Sequence, residues 1–287
     1  FLNKNVGTAK TVNVTGINIT GDQVLKTLRG KGGSLVTVSV YRRGQSGLLD
    51  YKIIRGKIPI NSIEFSYMPE PGIGYIKVSR FSATTYEEFK EALSGLKKQG
   101  LRSLILDLRG NPGGFLDAAT NMADEFLGGR KLVVYTQGKA RPKTSYYTER
   151  DGLFEEGKLI VLIDEGSASA AEIVTGAVQD WDRGTVIGRR SFGKGLVQEQ
   201  TTLPDGSALR LTIARYYTPT GRSIQKPYNN GIDAYEEEVI DRYRHGEFNN
   251  KDSIHFADSL KYKTPAGRIV YGGGGIMPDI FVPIDTT

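Results

Sequence analysis

Two side chains offer this chain its clearest chemistry, a serine hydroxyl at position 169 and a lysine amine at position 194. A hydroxyl becomes a strong nucleophile only when a base removes its proton. A lysine amine can be that base when burial keeps it neutral. The chain contains no cysteine and only two histidines, His245 and His255, both in a polar and charged stretch. Covalent chemistry in this protein would therefore most simply use a Ser–Lys dyad.

The elements predicted around Ser169 place its hydroxyl at the N-terminus of a helix. Residues 159–163 are a continuous apolar strand, residues 164–166 form a turn, and a helix is expected over 169–180. The first turn of a helix has free N–H groups and the positive end of the helix dipole, which together favour a developing anion. The N–H of Ala170 is then available as one oxyanion donor.

A second loop is expected to approach the same point. Residues 109–114 read Arg-Gly-Asn-Pro-Gly-Gly and follow another apolar strand, residues 103–108. Glycine allows backbone N–H groups to come close to a substrate carbonyl, so this loop could supply the second oxyanion donor. Two neighbouring parallel strands that end in these loops would bring them together.

The order of the predicted elements indicates an α/β layer structure. Apolar strands alternate with helices from residue 74 to residue 180, and residues 185–217 return to a β pattern with a hairpin turn at Pro204-Asp205-Gly206. The helix expected over 84–98 has Tyr86, Phe89, Leu93 and Leu96 on one face, and Thr84 with Glu87 as a capping box. We predict three regions: a small module at 1–45, a linker or strap at 46–73, and a core at 74–287 with a polar insertion or lid at 228–262. In the module, strands are expected over 11–14, 17–19 and 36–43 and a short helix over 21–30. The strap is less regular and contains Pro59, Pro69 and Pro71.

Composition excludes several classes of function. The net charge is +6, but Lys and Arg are interspersed with Asp and Glu. The sequence therefore lacks the basic stripe that would indicate nucleic-acid binding. No apolar run approaches the ~18 residues of a membrane span. With no cysteine and two histidines, a zinc site is not expected. We expect no metal or organic cofactor.

Other interpretations of the same residues are weaker. Taken alone, the Ser-Ala-Ser-Ala-Ala run is a good helix cap and Gly-Lys-Gly is an ordinary turn. Residues 188–194 spell G-x-x-x-x-G-K, but Gly195 stands where a P-loop needs Ser or Thr, and a β pattern follows. Residues 191–194 spell S-x-x-K, which would need a helix through two glycines.

The chain resembles the C-terminal processing peptidases, or tail-specific proteases, which are Ser–Lys serine proteases. The resemblance covers roughly residues 11 to 283. It is carried by four separated motifs in the family's order: Leu106-Asp107-Leu108-Arg109-Gly110-Asn111-Pro112-Gly113-Gly114, Glu165-Gly166-Ser167-Ala168-Ser169-Ala170-Ala171-Glu172-Ile173, Gly193-Lys194-Gly195-Leu196-Val197-Gln198, and Tyr217-Thr218-Pro219-Thr220-Gly221-Arg222-Ser223-Ile224-Gln225.

The resemblance implies a ClpP/crotonase-like core and a role for each matching residue. The nucleophile falls on Ser169, the general base on Lys194 and the residue that orients the base on Gln198. The oxyanion donors fall on the N–H groups of Gly114 and Ala170. In some members an aspartate at the position of Asp180 affects activity, although here a structural salt bridge or cap explains it equally well.

The family also implies a PDZ domain that binds substrate C-termini by strand addition. Residues 11 to 43 resemble only its second half, and its carboxylate-binding loop has no counterpart in residues 1–10. We expect an exported protein of the periplasm or cell envelope that acts on proteins with loose C-terminal tails, with a homo-oligomer or an adaptor left open. Two other functions also remain open, a catalytically idle binding scaffold and a crotonase-like acyl-transfer enzyme.

Overall fold

A computed structural model describes residues 20–56 and 61–285. The chain divides into two compact units at residues 60 and 61, and each unit is described by itself. The strands predicted over 11–14 and 17–19 lie outside the described residues. None of the described helices has the length and apolar character needed to cross a bilayer.

The first unit contains one helix and one β-hairpin, which are α1 (Gly21–Leu28), β1 (Leu35–Tyr41) and β2 (Leu48–Ile54). Thr20 begins the helix with a capping box, because its hydroxyl accepts from the N–H of Gln23 while the Gln23 side chain accepts from the N–H of Thr20. β1 and β2 pair antiparallel along their whole length. Helix α1 and strand β1 lie where the sequence predicts them.

The linker or strap predicted over 46–73 is wrong, because this segment forms β2 and a further strand, β3 (Ile63–Glu70). Of the three prolines that suggested irregular structure, Pro59 lies outside the described residues, and the other two do not break β3. Pro69 lies in an edge strand, where a missing N–H is tolerated, and Pro71 lies in the turn that follows it. β3 belongs to the second unit rather than to a connection between units.

The second unit is built on a six-stranded sheet with the order β14-β9-β8-β5-β4-β3. Its remaining strands are β4 (Ile73–Val78), β5 (Ser103–Asp107), β8 (Lys158–Ile163), β9 (Thr185–Gly188) and β14 (Ile280–Phe281). These five strands run parallel, and β3 pairs antiparallel with β4 at one edge. The sheet confirms the expectation that the strands before the two candidate loops, β5 and β8, are parallel neighbours.

Two helices, α2 (Thr85–Lys98) and α4 (Ala170–Asp180), contact strands of this sheet, and α3 (Leu116–Asp124) packs against both helices. The apolar face predicted for α2 is buried, as are all residues of α4. The capping box predicted at the start of α2 is wrong. The Thr84 hydroxyl donates to Glu88 instead, and Thr85 Oγ1 accepts from the N–H of Ser82.

A second, antiparallel sheet has the order β10-β11-β6-β7. Its strands are β6 (Leu132–Gln137), β7 (Thr144–Tyr147), β10 (Leu196–Thr202) and β11 (Ala208–Tyr217). β10 and β11 form the predicted hairpin around the turn at Asp205 and Gly206. β10 is an edge strand of this sheet, so one of its sides is free to face another chain.

The polar segment 228–262 contains a helix, α5 (Ile232–Arg244), and two short 3₁₀ turns. Two short strands, β12 (Lys261–Lys263) and β13 (Ile269–Tyr271), pair after it. Glu238 of α5 pairs with Lys226, and the buried Arg242 donates to the carbonyls of Arg190 and Ser191. The segment is therefore joined by hydrogen bonds to the loop that precedes Lys194.

Candidate active site

Ser169 lies at a sharp turn between β8 and α4. Its backbone has φ 54° and ψ −113°, which non-glycine residues rarely adopt. Such a conformation costs on the order of 1–3 kcal/mol and persists only where the surroundings enforce it. Here the N–H of Ser169 donates to the carboxylate of Glu172, 2.8 Å away, one turn into the helix. The half-buried hydroxyl is thus held at the helix N-terminus, as the sequence predicts.

The glycine loop after β5 packs directly on this turn. A Cβ on Gly113 would lie 2.7 Å from the Cβ of Ser169, so only glycine fits there. The buried Asn111 holds the loop from both sides, because its side chain donates to the Val78 carbonyl and accepts from the N–H of Gly113. The Asn111 carbonyl in turn accepts from the N–H of Ala168. The two predicted loops therefore meet.

Two backbone N–H groups remain free at this junction. Across residues 20–56 and 61–285, no acceptor is hydrogen-bonded to the N–H of Gly114 or to the N–H of Ala170. Gly114 has φ 149° and lies against the Phe81 carbonyl, where any side chain would collide. Free N–H groups beside a nucleophile are what an oxyanion hole requires.

The carboxylate of Glu172 connects the serine turn to the lysine loop. It is fully buried and accepts four hydrogen bonds. Besides Ser169, its donors are the Ser191 hydroxyl at 2.5 Å and the N–H groups of Gly193 at 2.7 Å and Lys194 at 2.9 Å. Burial raises the pKa of Glu172, while these hydrogen bonds favour the charged form and oppose that shift.

Tyr216 of β11 is a second connection between the two loops. Its buried hydroxyl donates to the Lys194 carbonyl. Burial raises the pKa of Tyr216 well above its usual value, and the negative charge of Glu172 adds to this shift. A hydrogen bond with the Ser169 side chain acts in the opposite direction. The tyrosine hydroxyl therefore lies beside both residues of the predicted dyad.

A cavity of about 760 Å³ opens beside these groups. Ser169 and Lys194 both line it, together with the glycine loop, Ile173 at the start of α4, and several residues of β10 and β11. Lys194 is half-buried, and its Nζ has no hydrogen-bond partner within the described part of the chain. The structure thus gathers the predicted nucleophile, base and oxyanion donors around one concave, largely apolar space.

The arrangement matches a known protein family. The family model for peptidase family S41 matches residues 72–234, which is more than half of the chain. The chain belongs to peptidase family S41. Its fold is the mixed α/β architecture of these peptidases.

Curated relatives of this S41 chain carry matching names. A carboxy-terminal-processing protease of Bartonella bacilliformis is 40% identical over 209 residues, covering 71% of this chain and 48% of the relative. A probable CtpA-like serine protease of Staphylococcus epidermidis is 39% identical over 205 residues, covering 71% of this chain and 41% of the relative. The chain spans about half or less of the length of these two relatives.

A solved structure agrees with this relationship. The photosystem II D1 C-terminal processing protease superimposes with a TM-score of 0.55 at 26% identity, covering 88% of this chain and 57% of that protein. The recognition of the C-terminal processing peptidases from four sequence motifs is confirmed.

Two further residues that the family resemblance suggests lie in different surroundings. Gln198 lines the cavity on β10, but its amide lies 3.5 Å from the Thr212 hydroxyl and makes no hydrogen bond to Lys194 in the described structure. Asp180 lies at the far end of α4, where its Oδ1 is 2.6 Å from the guanidinium of Arg222 and its Oδ2 accepts from Thr220. Asp180 is thus placed in a buried ion pair and not among the residues that line the cavity.

The competing motifs do not form their own sites. Residues 189–195 adopt no helix and lead into β10, so neither a P-loop nor a penicillin-binding S-x-x-K helix is present in this described segment. Glu172 and Tyr216 are the contributions that the sequence analysis missed. The spacing of Ser169 and Glu172 is that of a capping box, and this signal could have identified the glutamate. No comparable signal marks Tyr216, which reaches the site only through the register of β11.

Proposed function

We propose that this S41 chain is a serine endopeptidase in which Lys194 activates Ser169 to cleave protein substrates near their C-termini. The observation that carries the proposal is the shared cavity, which Ser169, Lys194 and Gly114 line, with the free N–H group of Ala170 following Ser169 in the chain. The names of the relatives support a C-terminal cleavage site. The apolar walls of the cavity suit an extended, loosely structured tail.

The chemistry follows from these positions. Neutral Lys194 takes the proton of the Ser169 hydroxyl, the oxygen attacks the scissile carbonyl carbon, and the resulting oxyanion accepts from the two free N–H groups. The lysine ammonium then gives its proton to the leaving amine as the C–N bond breaks. Water, deprotonated by the lysine, hydrolyses the ester and returns the serine hydroxyl.

We also propose roles for residues and regions outside the dyad. Gln198 orients the lysine once a substrate enters, and Asp180 stabilises α4 through Arg222. We assign the first unit as a partial PDZ-like module that binds a substrate strand, and helix α1 with strand β1 supports this assignment. The chain acts in the bacterial envelope on unfolded or loosely folded proteins, as its bacterial relatives suggest.

The test is active-site labelling combined with digestion of an unfolded protein. Wild type is expected to react with a fluorophosphonate probe and to produce fragments whose ends mass spectrometry can assign. Ser169→Ala and Lys194→Ala should lose both activities by at least about 1,000-fold. Matched controls are Ser94→Ala on α2 and the exposed Lys98→Ala.

Each failure has a distinct meaning. A wild type that neither labels nor digests would contradict a peptidase and favour an idle scaffold. A Lys194→Ala variant that retains wild-type activity would contradict the dyad and favour the crotonase-like alternative, which needs the oxyanion donors but not the lysine.

A further inference from the structure

The outer part of the cavity contains a charge that the proposed dyad does not use. Of the described residues that line this cavity, only Lys194 and Arg210 are basic, and none is acidic. Arg210 lies on β11, opposite Gln200 of β10, in the exposed hairpin that forms one wall. The remaining walls are largely apolar, with Ile173 and Leu196 among them.

Arg210 is fixed in register with the reaction centre. Arg210 and Tyr216 both line the cavity and are separated by six positions on β11, with a β-bulge of this strand between them, opposite Val197 and Gln198. Strand residues rise about 3.3 Å each and a bulge shortens the span, so the two Cα atoms lie at most about 20 Å apart. An extended substrate rises by a similar amount per residue. A peptide that runs from Ser169 to Arg210 would therefore contain about six residues.

The Arg210 guanidinium has no anionic partner within the described structure. Its one hydrogen bond is to the Gln200 side-chain oxygen at 3.0 Å. The other face of the same hairpin differs, because Glu199 pairs there with Arg141 at 2.8 Å. Arg141, beside the outer face, thus has a carboxylate partner, whereas Arg210 on the cavity side has none and is available to a ligand.

We infer that Arg210 is a specificity-determining residue that binds a carboxylate of the substrate chain, about six residues from the scissile bond. The inference rests on the proposed peptidase function, because that function places an extended substrate between Ser169 and Arg210. A planar guanidinium with several donors suits a carboxylate, and a peptide lying in the cavity would reduce the water that screens the pair. The carboxylate is either the substrate's own C-terminus or an acidic side chain.

The experiment measures binding separately from cleavage. Four fluorescein-labelled peptides of ten Ala, Leu and Val residues are compared by fluorescence anisotropy on the full chain with Ser169→Ala. Two peptides differ only in a free carboxylate or an amide at the C-terminus. The other two are amidated and differ only in Glu or Gln at one internal position. Adding Arg210→Gln tests the arginine, and adding Arg141→Gln is the matched control, since it removes the same charge outside the cavity.

We expect the carboxylate peptide of one pair to bind on the order of fivefold more tightly than its neutral partner. Arg210→Gln should reduce that ratio to nearly one, whereas Arg141→Gln should keep it. The pair that loses its discrimination identifies the source of the carboxylate. In the chain with Ser169 intact, cleavage should fall about six residues from that carboxylate.

Two results would overturn the inference. The first is equal binding of both members in both pairs. The second is a preference that survives Arg210→Gln, which would assign carboxylate binding to another part of the chain. If Arg210→Gln abolishes discrimination but no peptide is cleaved, the carboxylate site stands and the proposed peptidase function fails. Thermal unfolding of each variant shows whether the fold is retained.

Discussion

The two walls of the cavity are held in place very differently. The nucleophile wall, residues 109–116 and 164–180, lies at the carboxyl ends of two buried strands, and every residue of α4 in it is buried. The base wall, residues 194–202 and 208–216, follows an exposed edge strand that is joined to the nucleophile wall through Glu172 and Tyr216. The structure thus holds the proposed nucleophile and oxyanion donors rigidly, while the position of the proposed base depends on a few buried polar contacts.

The Glu172→Gln substitution should have the largest effect because it loosens the base wall from the nucleophile wall. An amide has one acceptor oxygen and cannot accept all four hydrogen bonds, so buried donors lose their partners. We expect a loss of at least about 3 kcal/mol in the free energy of unfolding. Fluorophosphonate labelling should slow by about 100-fold, since small displacements of reacting groups are costly. Urea denaturation and labelling kinetics measure these effects, with the exposed Glu91→Gln as control.

The pH dependence gives the same substitution a second readout. Burial raises the pKa of Glu172, so the folded state holds this proton more tightly than the unfolded chain, where glutamate titrates near 4.3. The stability contributed by this group is greatest below about pH 4.3 and is lost as the pH rises through the raised folded pKa. The difference in unfolding free energy between wild type and Glu172→Gln should therefore decline over that window. A difference that is constant with pH would contradict this account.

The Gly113→Ala substitution tests the nucleophile wall alone. The new methyl group would lie 2.6 Å from the Ala168 carbonyl and 2.7 Å from the Ser169 Cβ, at a φ of 89°. We expect labelling to slow by more than tenfold and stability to fall by about 1–3 kcal/mol. Gly129→Ala is the control, because Gly129 has a φ of 71° and open space around its Cβ position. Equal labelling rates for the two variants would show that the glycine loop does not position the serine.

The Gln198→Ala substitution should have the smallest effect on stability. This exposed side chain has only a weak contact with Thr212, so its loss should change the free energy of unfolding by less than about 0.5 kcal/mol. If Gln198 orients Lys194 in the substrate complex, kcat on a small ester should fall by about tenfold while KM changes little. The control is Thr212→Ala, which removes the hydroxyl that Gln198 contacts and leaves the proposed contact between Gln198 and Lys194 intact. An unchanged kcat would assign Gln198 to the cavity wall only.

Much of the core could be predicted because its signals are local. The apolar strands before Asn111 and Ser169 and the buried face of α2 each follow from composition and periodicity. Local signals failed where contacts with other residues of the chain decided the local structure. Prolines indicated irregular structure where β3 forms, and pairing with β4 stabilises this strand. The capping box predicted for α2 does not form, because the Thr84 hydroxyl donates to Glu88.

The candidate nucleophile, the candidate base and the two glycine-bearing loops could be read from the amino-acid sequence alone, because the required side chains and backbone freedom belong to those residues. Only the tertiary structure decided that one buried carboxylate would hold both loops and that Asp180 would face Arg222. It also decided that β11 would bring Tyr216 and Arg210 to one cavity. These contacts join residues far apart in the chain, and strand register, which is fixed by packing of the whole sheet, selects which side chains meet.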